Sequence, residues 1–150
     1  MTSTPLGNAI VTQVAIVVRD IEQAVGAWSA LLNVSRPNII TTDTVESAHT
    51  QYLGDPTPAR ARLAFFSLGQ VTLELIEPLG EPSTWNDQLV QHGQSLHHIA
   101  FQIEGMQTRV DELAEHGMRL IQRGDYTGGR YAYVDGQERF GAVIELLEND

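Results

Sequence analysis

Four side chains combine donor chemistry with regular placement: Gln13, Glu74, His98 and Glu145. Each lies in a short apolar run with strand periodicity, respectively Val11–Val18, Val71–Glu77, Leu96–Ile103 and Ala142–Leu147. Along Leu96–Ile103 the residues Ile99, Phe101 and Ile103 share one face, which puts His98 with Ala100 and Gln102 on the other. Along Val71–Glu77, Leu73 and Leu75 oppose Thr72, Glu74 and Ile76 in the same way. Two carboxylates, an amide oxygen and an imidazole nitrogen suit a divalent metal of intermediate hardness, six-coordinate and with positions left open for water or substrate. With Gln and His neutral, the two carboxylates balance a dication. Taken singly, a strand-end Glu is a solvated charge and a strand His a hydrogen-bonded core group. Together they face small or apolar neighbours such as Ala15, Thr72, Ala100 and Val143, a half-buried surface on which an unpaired Glu is costly.

That joint placement rests on an internal repeat. An offset of 85 puts Gln13 on His98, Val14 on Ile99, Ala15 on Ala100, Ile21 on Met106 and Val25 on Val110. An offset of 71 puts Leu73 on Ile144, Glu74 on Glu145, Leu75 on Leu146 and Glu77 on Glu148. The chain therefore reads as strand-helix-strand-strand-strand written twice, an α+β fold in which each helix covers one side of its half-sheet. The first module is 11–78, the connection 79–95 and the second module 96–148, within a single domain over 1–150.

The elements follow from the pattern. Asp20 caps a helix over Ile21–Leu32, with Ile21, Val25, Trp28 and Leu32 on one face. Residues 38–52 predict an exposed strand or two, and Gly54–Pro58 a loop. Arg62–Leu68 and Val71–Glu77 form a hairpin about Gly69-Gln70, ended by Pro78. Ser83 caps a short helix to about His92, and a further helix runs from Met106 to His116 with Gly117 as its stop. Met118–Gln122 is a short strand, Gly124–Gly129 a loop, and Tyr131–Val134 and Ala142–Leu147 a hairpin across Asp135–Glu138.

Composition bounds the function. The 150 residues, 42% hydrophobic, suffice for one core, and the absence of cysteine excludes disulfides and thiolate chemistry. Nine arginines, no lysine and nineteen acidic residues give a formal charge of -10, which argues against nucleic acid or an anionic membrane surface as a partner. Neither a secretory leader nor a membrane-spanning run is present in the pattern, so the reading is a soluble, cytoplasmic protein.

The stretches Leu96-His97-His98-Ile99-Ala100-Phe101, Leu73-Glu74-Leu75-Ile76-Glu77-Pro78 and Gly141-Ala142-Val143-Ile144-Glu145-Leu146-Leu147 carry a resemblance. Over about Val11 to Glu148 the chain resembles the vicinal oxygen chelate superfamily, which includes glyoxalase I, methylmalonyl-CoA epimerase, extradiol dioxygenases and antibiotic-resistance proteins. Its motifs look most like the epimerase branch. The resemblance implies paired βαβββ modules in a cupped, mostly antiparallel sheet around one metal, with Gln13, Glu74, His98 and Glu145 as ligands. The ion would be cobalt, nickel, zinc, manganese or magnesium, and the assembly a homodimer. Where epimerases commonly carry Asp-His on the first strand, this chain has Thr12-Gln13. Some glyoxalases share the resulting Gln, Glu, His, Glu set, and an extradiol iron triad would need a second His at that position.

Such a site abstracts a proton next to a carbonyl. The resemblance gives Glu145 the role of mobile base, with Glu74 as second candidate. Arg60 and Arg62 have two readings: outward charges on an edge strand, or a grip on a substrate carboxylate or phosphate. Tyr131 and Tyr133 read as packing residues; His49, His92 and His116 as surface; and His97 as packing or bonding behind the sheet. Three functions remain open for a small-molecule substrate: a metal-dependent isomerase or epimerase, a glyoxalase I-type lactoylglutathione lyase, and a non-catalytic binding protein. The acidic balance and lack of lysine count against a coenzyme A ester.

Overall fold

The computed structural model describes residues 6–150. A long first strand, β1 (Val11–Val17), leads into helix α1 (Ile21–Leu32), whose N-cap Asp20 accepts a hydrogen bond from the Gln23 amide. Two-residue strands β2 (Ile40–Thr41) and β3 (Gln51–Tyr52) flank the single turn α2 (Val45–Ala48), and β4 (Asp55–Pro56) follows. The hairpin β5 (Arg60–Leu68) and β6 (Val71–Leu79) completes the first half. Helix α3 (Thr84–His92), capped by Ser83, connects to β7 (Ser95–Gln102) and α4 (Met106–Glu115). Strands β8 (Leu120–Tyr126) and β9 (Gly129–Val134), the short helix α5 (Gln137–Phe140) and β10 (Val143–Asn149) finish the chain.

All ten strands join one curled, mostly antiparallel sheet in the order β2-β5-β6-β1-β7-β10-β9-β8-β3-β4, a half-barrel. The repeat appears in its register. Ala15 pairs with Glu74 on β6, as Ala100 pairs with Glu145 on β10, both in parallel. Between the central antiparallel strands Gln13 faces Ala100, Val14 faces Ile99 and Ala15 faces His98, a set that an offset of 85 maps onto itself. The convex face is apolar in both halves. Ile21 and Val25 of α1 pack on Leu73 and Leu75, and Val110 and Leu113 of α4 on Ile144 and Leu146. Each helix is also tied to its half by a carboxylate at its N-terminus: the Ile21 amide donates to Glu77, and the Gly105 and Met106 amides to Glu148.

Several boundaries differ from the sequence reading for local reasons. β6 runs through Pro78 because that residue lies past the last β1 pairing, where its missing N–H is not needed on that side. Gly124 and Gly129 lie in strands, since a Cβ at Gly124 would stand 2.8 Å from the Tyr131 ring and one at Gly129 2.5 Å from the Glu148 carbonyl oxygen. The expected loop thus shrinks to a turn at Thr127-Gly128, and β8 reaches Tyr126. The connection before β10 holds α5, closed by Gly141 at φ 82°. Residues 42–50 pass from the β2 edge of the sheet to the β3 edge and form a strap between its two ends. No helix among the described residues is long and apolar enough to cross a membrane.

Candidate metal centre

The four strands at the middle of the sheet, β6, β1, β7 and β10, bring the sequence-predicted donors together. Glu74 Oε1 lies 3.3 Å and Glu145 Oε1 3.2 Å from His98 Nε2, and the donor atoms of all three residues fall within 4.8 Å of one another. These contacts lack hydrogen-bond direction, so Glu74 Oε1, His98 Nε2 and Glu145 Oε1 are buried without a hydrogen-bond partner. Converging, bare and of mixed charge, they satisfy one another only electrostatically. Gln13, half-buried, lines the same cavity as Glu74 and Glu145.

Protonation follows from this crowding. Burial alone would lower the His98 pKa, but the charge of Glu145, reinforced by Glu74, lifts it to about 10. Burial raises Glu145 above the ordinary carboxylate range; His98 opposes that rise, Glu74 adds to it, and a Tyr133 hydrogen bond lowers it again. Without a cation the centre is thus an imidazolium held between two carboxylates. A dication in place of that proton would match the two carboxylates in charge, and the donor set fits an ion of intermediate hardness held by Glu74, His98 and Glu145.

The second imidazole lies on the same side as the first, contrary to the expectation that His97 sits behind the sheet. On β7, Leu96 pairs with Ile16 and His98 with Ala15, so His97 is the extra residue of a bulge. The bulge breaks the period-two alternation and brings His97 Nδ1 to 2.8 Å from His98 Nδ1. Its counterpart under the repeat, Thr12, occupies the matching irregularity of β1 and lines the cavity.

The proton order behind His98 can be traced. The Thr84 amide donates to Gln122 Oε1 at 2.8 Å, which fixes that oxygen as an acceptor. Thr84 Oγ1 lies 3.0 Å from the same oxygen and must place its own proton there, because two bare oxygens at that distance repel. The Thr84 hydroxyl then accepts from His97 Nε2 at 3.1 Å. Burial and the neighbouring His98 hold the His97 pKa well below its usual value, so His97 is neutral and its Nδ1 is bare. It accepts from His98 Nδ1–H, and when His98 is neutral its lone pair is on Nε2, the atom facing Glu74 and Glu145.

Above the cluster is a cavity of about 580 Å³. Its walls include Trp85, Tyr131 and Tyr133, with β2 supplying Ile40 and the strap Asp43 and Thr50. Trp85 Nε1 donates to the Tyr133 hydroxyl at 3.0 Å, and the Tyr133 ring lies 4.9 Å from that of His98. Tyr131 and Tyr133, read from sequence as packing residues, are both packed and cavity-lining. The sequence reading missed Thr84, Gln122, Trp85 and the strap; Thr84, directly after the Ser83 cap, offered only the signal of a helix start.

Arg60 and Arg62 are not brought to the cavity. Arg62 pairs with Glu77 at 3.4 Å and with Glu22 at 3.0 Å, the counterpart of Arg130 on Glu148 in the second half. Arg60 Nε donates to the Thr42 carbonyl at 2.9 Å. Both guanidiniums brace the scaffold.

The family model described as Glyoxalase/Bleomycin resistance protein/Dioxygenase superfamily matches residues 12–134. The chain belongs to that superfamily. The chain is 36% identical over 92 residues to an uncharacterized protein, YqjC, of Bacillus subtilis (strain 168), a match spanning 59% of this chain and 66% of that relative. Among solved structures it is similar to a hypothetical protein, BH1468, of Bacillus halodurans C-125, with TM-score 0.67, 21% identity, and 93% and 94% of the two chains covered. Methylmalonyl-CoA epimerase from Mycobacterium tuberculosis superposes with TM-score 0.67 at 18% identity, over 100% of this chain and 93% of that one. The Streptomyces coelicolor epimerase in complex with 2-nitronate-propionyl-CoA gives TM-score 0.63 at 18% identity, over 94% and 97%. At these identities the structural likeness concerns the fold.

Proposed function

We propose that the protein is a metal-dependent isomerase or epimerase that moves a proton next to a carbonyl, with Glu74, His98, Glu145 and Gln13 as ligands. The observation that carries this reading is the convergence of three bare, buried donor atoms, two anionic and one imidazole, at a cavity. Bound there, a divalent ion supplies Lewis-acid polarisation of the carbonyl and stabilises the negative charge that develops when the proton leaves.

The chain's own residues do the rest. Glu145 takes the proton, and its burial favours that role by raising its basicity above that of an ordinary carboxylate. Glu74 stands on the equivalent strand of the other half, so the two carboxylates flank His98. That arrangement suits delivery of a proton at a second position or from the opposite side. Tyr133, held by the Trp85 indole N–H, lies opposite Glu145 on the neighbouring strand. The strap and the aromatic walls surround the space into which both carboxylates face.

Gln13 favours a second reading, a glyoxalase-type lyase, because a neutral amide there completes a Gln, Glu, His, Glu set; the proton transfer would be the same. The experiment is solvent-deuterium exchange into keto acids, acyl thioesters and hemithioacetals, followed by proton NMR with metal-saturated wild type and Glu145→Gln. Exchange in the wild type should slow by roughly two to four orders of magnitude in the variant, the usual weight of a general base. Equal rates in the two proteins would move the base to Glu74, and no exchange with any substrate would favour a binding protein.

A further inference from the structure

We propose that the cavity takes an uncharged carbonyl compound carrying a flat aromatic or similarly apolar group, and rejects carboxylates and phosphates. The inference rests on the proposed function in taking this cavity as the substrate site, and it names the substrate class. Among the described residues lining the cavity there is no arginine or histidine, while Asp43, Glu74, Asp125 and Glu145 all contribute carboxylates.

The cations are committed elsewhere. Arg62 and Arg130 are tied to Glu77 and Glu148, Arg60 Nε is turned onto the Thr42 carbonyl, and His49 is paired outside the cavity with Asp125 at 2.9 Å. A divalent ion would cancel Glu74 and Glu145, leaving Asp43 on the strap as an uncancelled charge of the wall, with Asp125 on β8 shared between the wall and His49. An anionic substrate would therefore meet a negative lining whose only counter-charge is already matched. The same charges disfavour the phosphates of a thioester carrier at the opening.

The walls say what is accepted instead. Tyr131 lies 6.4 Å from Trp85 and 4.9 Å from Tyr133, ring centre to ring centre, and Phe65, which pairs with Glu74 as Tyr133 pairs with Glu145, lines the cavity from the first half. Flat faces on both sides of the carboxylates suit stacking of a ring or conjugated system with its carbonyl toward the cluster.

The test uses a matched pair of probes, 2-hydroxyacetophenone and phenylglyoxylate, similar in size and differing in charge. Binding to the full chain is measured by calorimetry with and without added manganese, and tryptophan fluorescence reports on Trp85. The ketone is expected to bind at least about tenfold more tightly in both states, because like charges opposed across a binding surface are strongly disfavoured. Asp43→Asn with Asp125→Asn should raise phenylglyoxylate affinity by about tenfold, less in high salt, with little change for the ketone. Phenylglyoxylate binding as tightly as the ketone in either state, no binding of either probe at millimolar concentration, or an unchanged anion affinity in the double variant would overturn the inference. Deuterium exchange is followed on the same samples. Ketone preference without exchange sinks the proposed reaction and leaves the ligand class standing, whereas exchange with anion preference sinks the ligand class alone.

Discussion

Metal uptake at this centre must compete with a proton, and the strength of the competition can be worked out. In the protein without a cation, the carboxylates of Glu145 and Glu74 outweigh the burial that disfavours a charged His98 and set its pKa at about 10. A metal needs that nitrogen bare, so binding at neutral pH releases one proton. The three pH units between neutrality and the His98 pKa correspond to an apparent affinity about a thousandfold below that of the deprotonated site, rising about tenfold per unit toward pH ~10. Manganese titrated calorimetrically between about pH 6.5 and 8.5, in buffers of different ionisation enthalpy, reads both the slope and the proton count. A flat affinity over that range, or release of no proton, would refute the assignment of His98 as a ligand held in an acidic pair. The metal-free fold should show the matching trend. The folded pKa of His98 lies above its unfolded value of 6.5, so its contribution is complete below that value and is lost as pH rises toward about 10. Urea midpoints should therefore fall as pH rises through this window without metal.

Thr84→Val removes the hydroxyl that accepts from His97 Nε2 and so frees the proton order that bares His98 Nε2. Metal affinity should fall by about 10–100-fold, the usual effect of losing such an outer contact, while circular dichroism stays native. Gly124→Ala pushes a Cβ to 2.8 Å from the Tyr131 ring. Overpacking of this kind costs about 1–3 kcal/mol, to be read as a lower urea midpoint at constant slope. Gln13→His should retain metal in equilibrium dialysis, because imidazole can replace an amide oxygen as a donor.

The donors were legible because the chain states them twice. Gln13 on His98 and Glu74 on Glu145 are fixed by offsets within the sequence, and the same offsets relate the register of the central strands. Helix faces such as Ile21 and Val25, or Val110 and Leu113, were legible from their period. What escaped depended on departures from period or on distant pairing. His97 turns toward the cluster rather than behind the sheet because a bulge adds a residue that alternation cannot anticipate. Gly124 and Gly129 carry a loop composition although they lie in β8 and β9, because close approach of Tyr131 and of the Glu148 carbonyl leaves no composition signal. Thr84 and Gln122 meet across 38 residues of chain, and β3, which follows the strap, pairs with β8 through two residues only. Arg62 lies opposite Glu77 in the register that the Gly69-Gln70 turn sets, but its second partner, Glu22, comes from α1, 40 residues away.

The central claim is that Glu74, His98 and Glu145 hold a divalent ion, and metal stoichiometry tests it most directly. Wild type and His98→Ala are dialysed against equal concentrations of manganese, cobalt, nickel, zinc and magnesium, then assayed by elemental analysis. Wild type is expected to retain roughly one ion per chain of at least one metal, and His98→Ala to retain none, because the variant loses the only nitrogen donor of the set. Equal retention by the two proteins, or none by the wild type under any metal, would contradict the account.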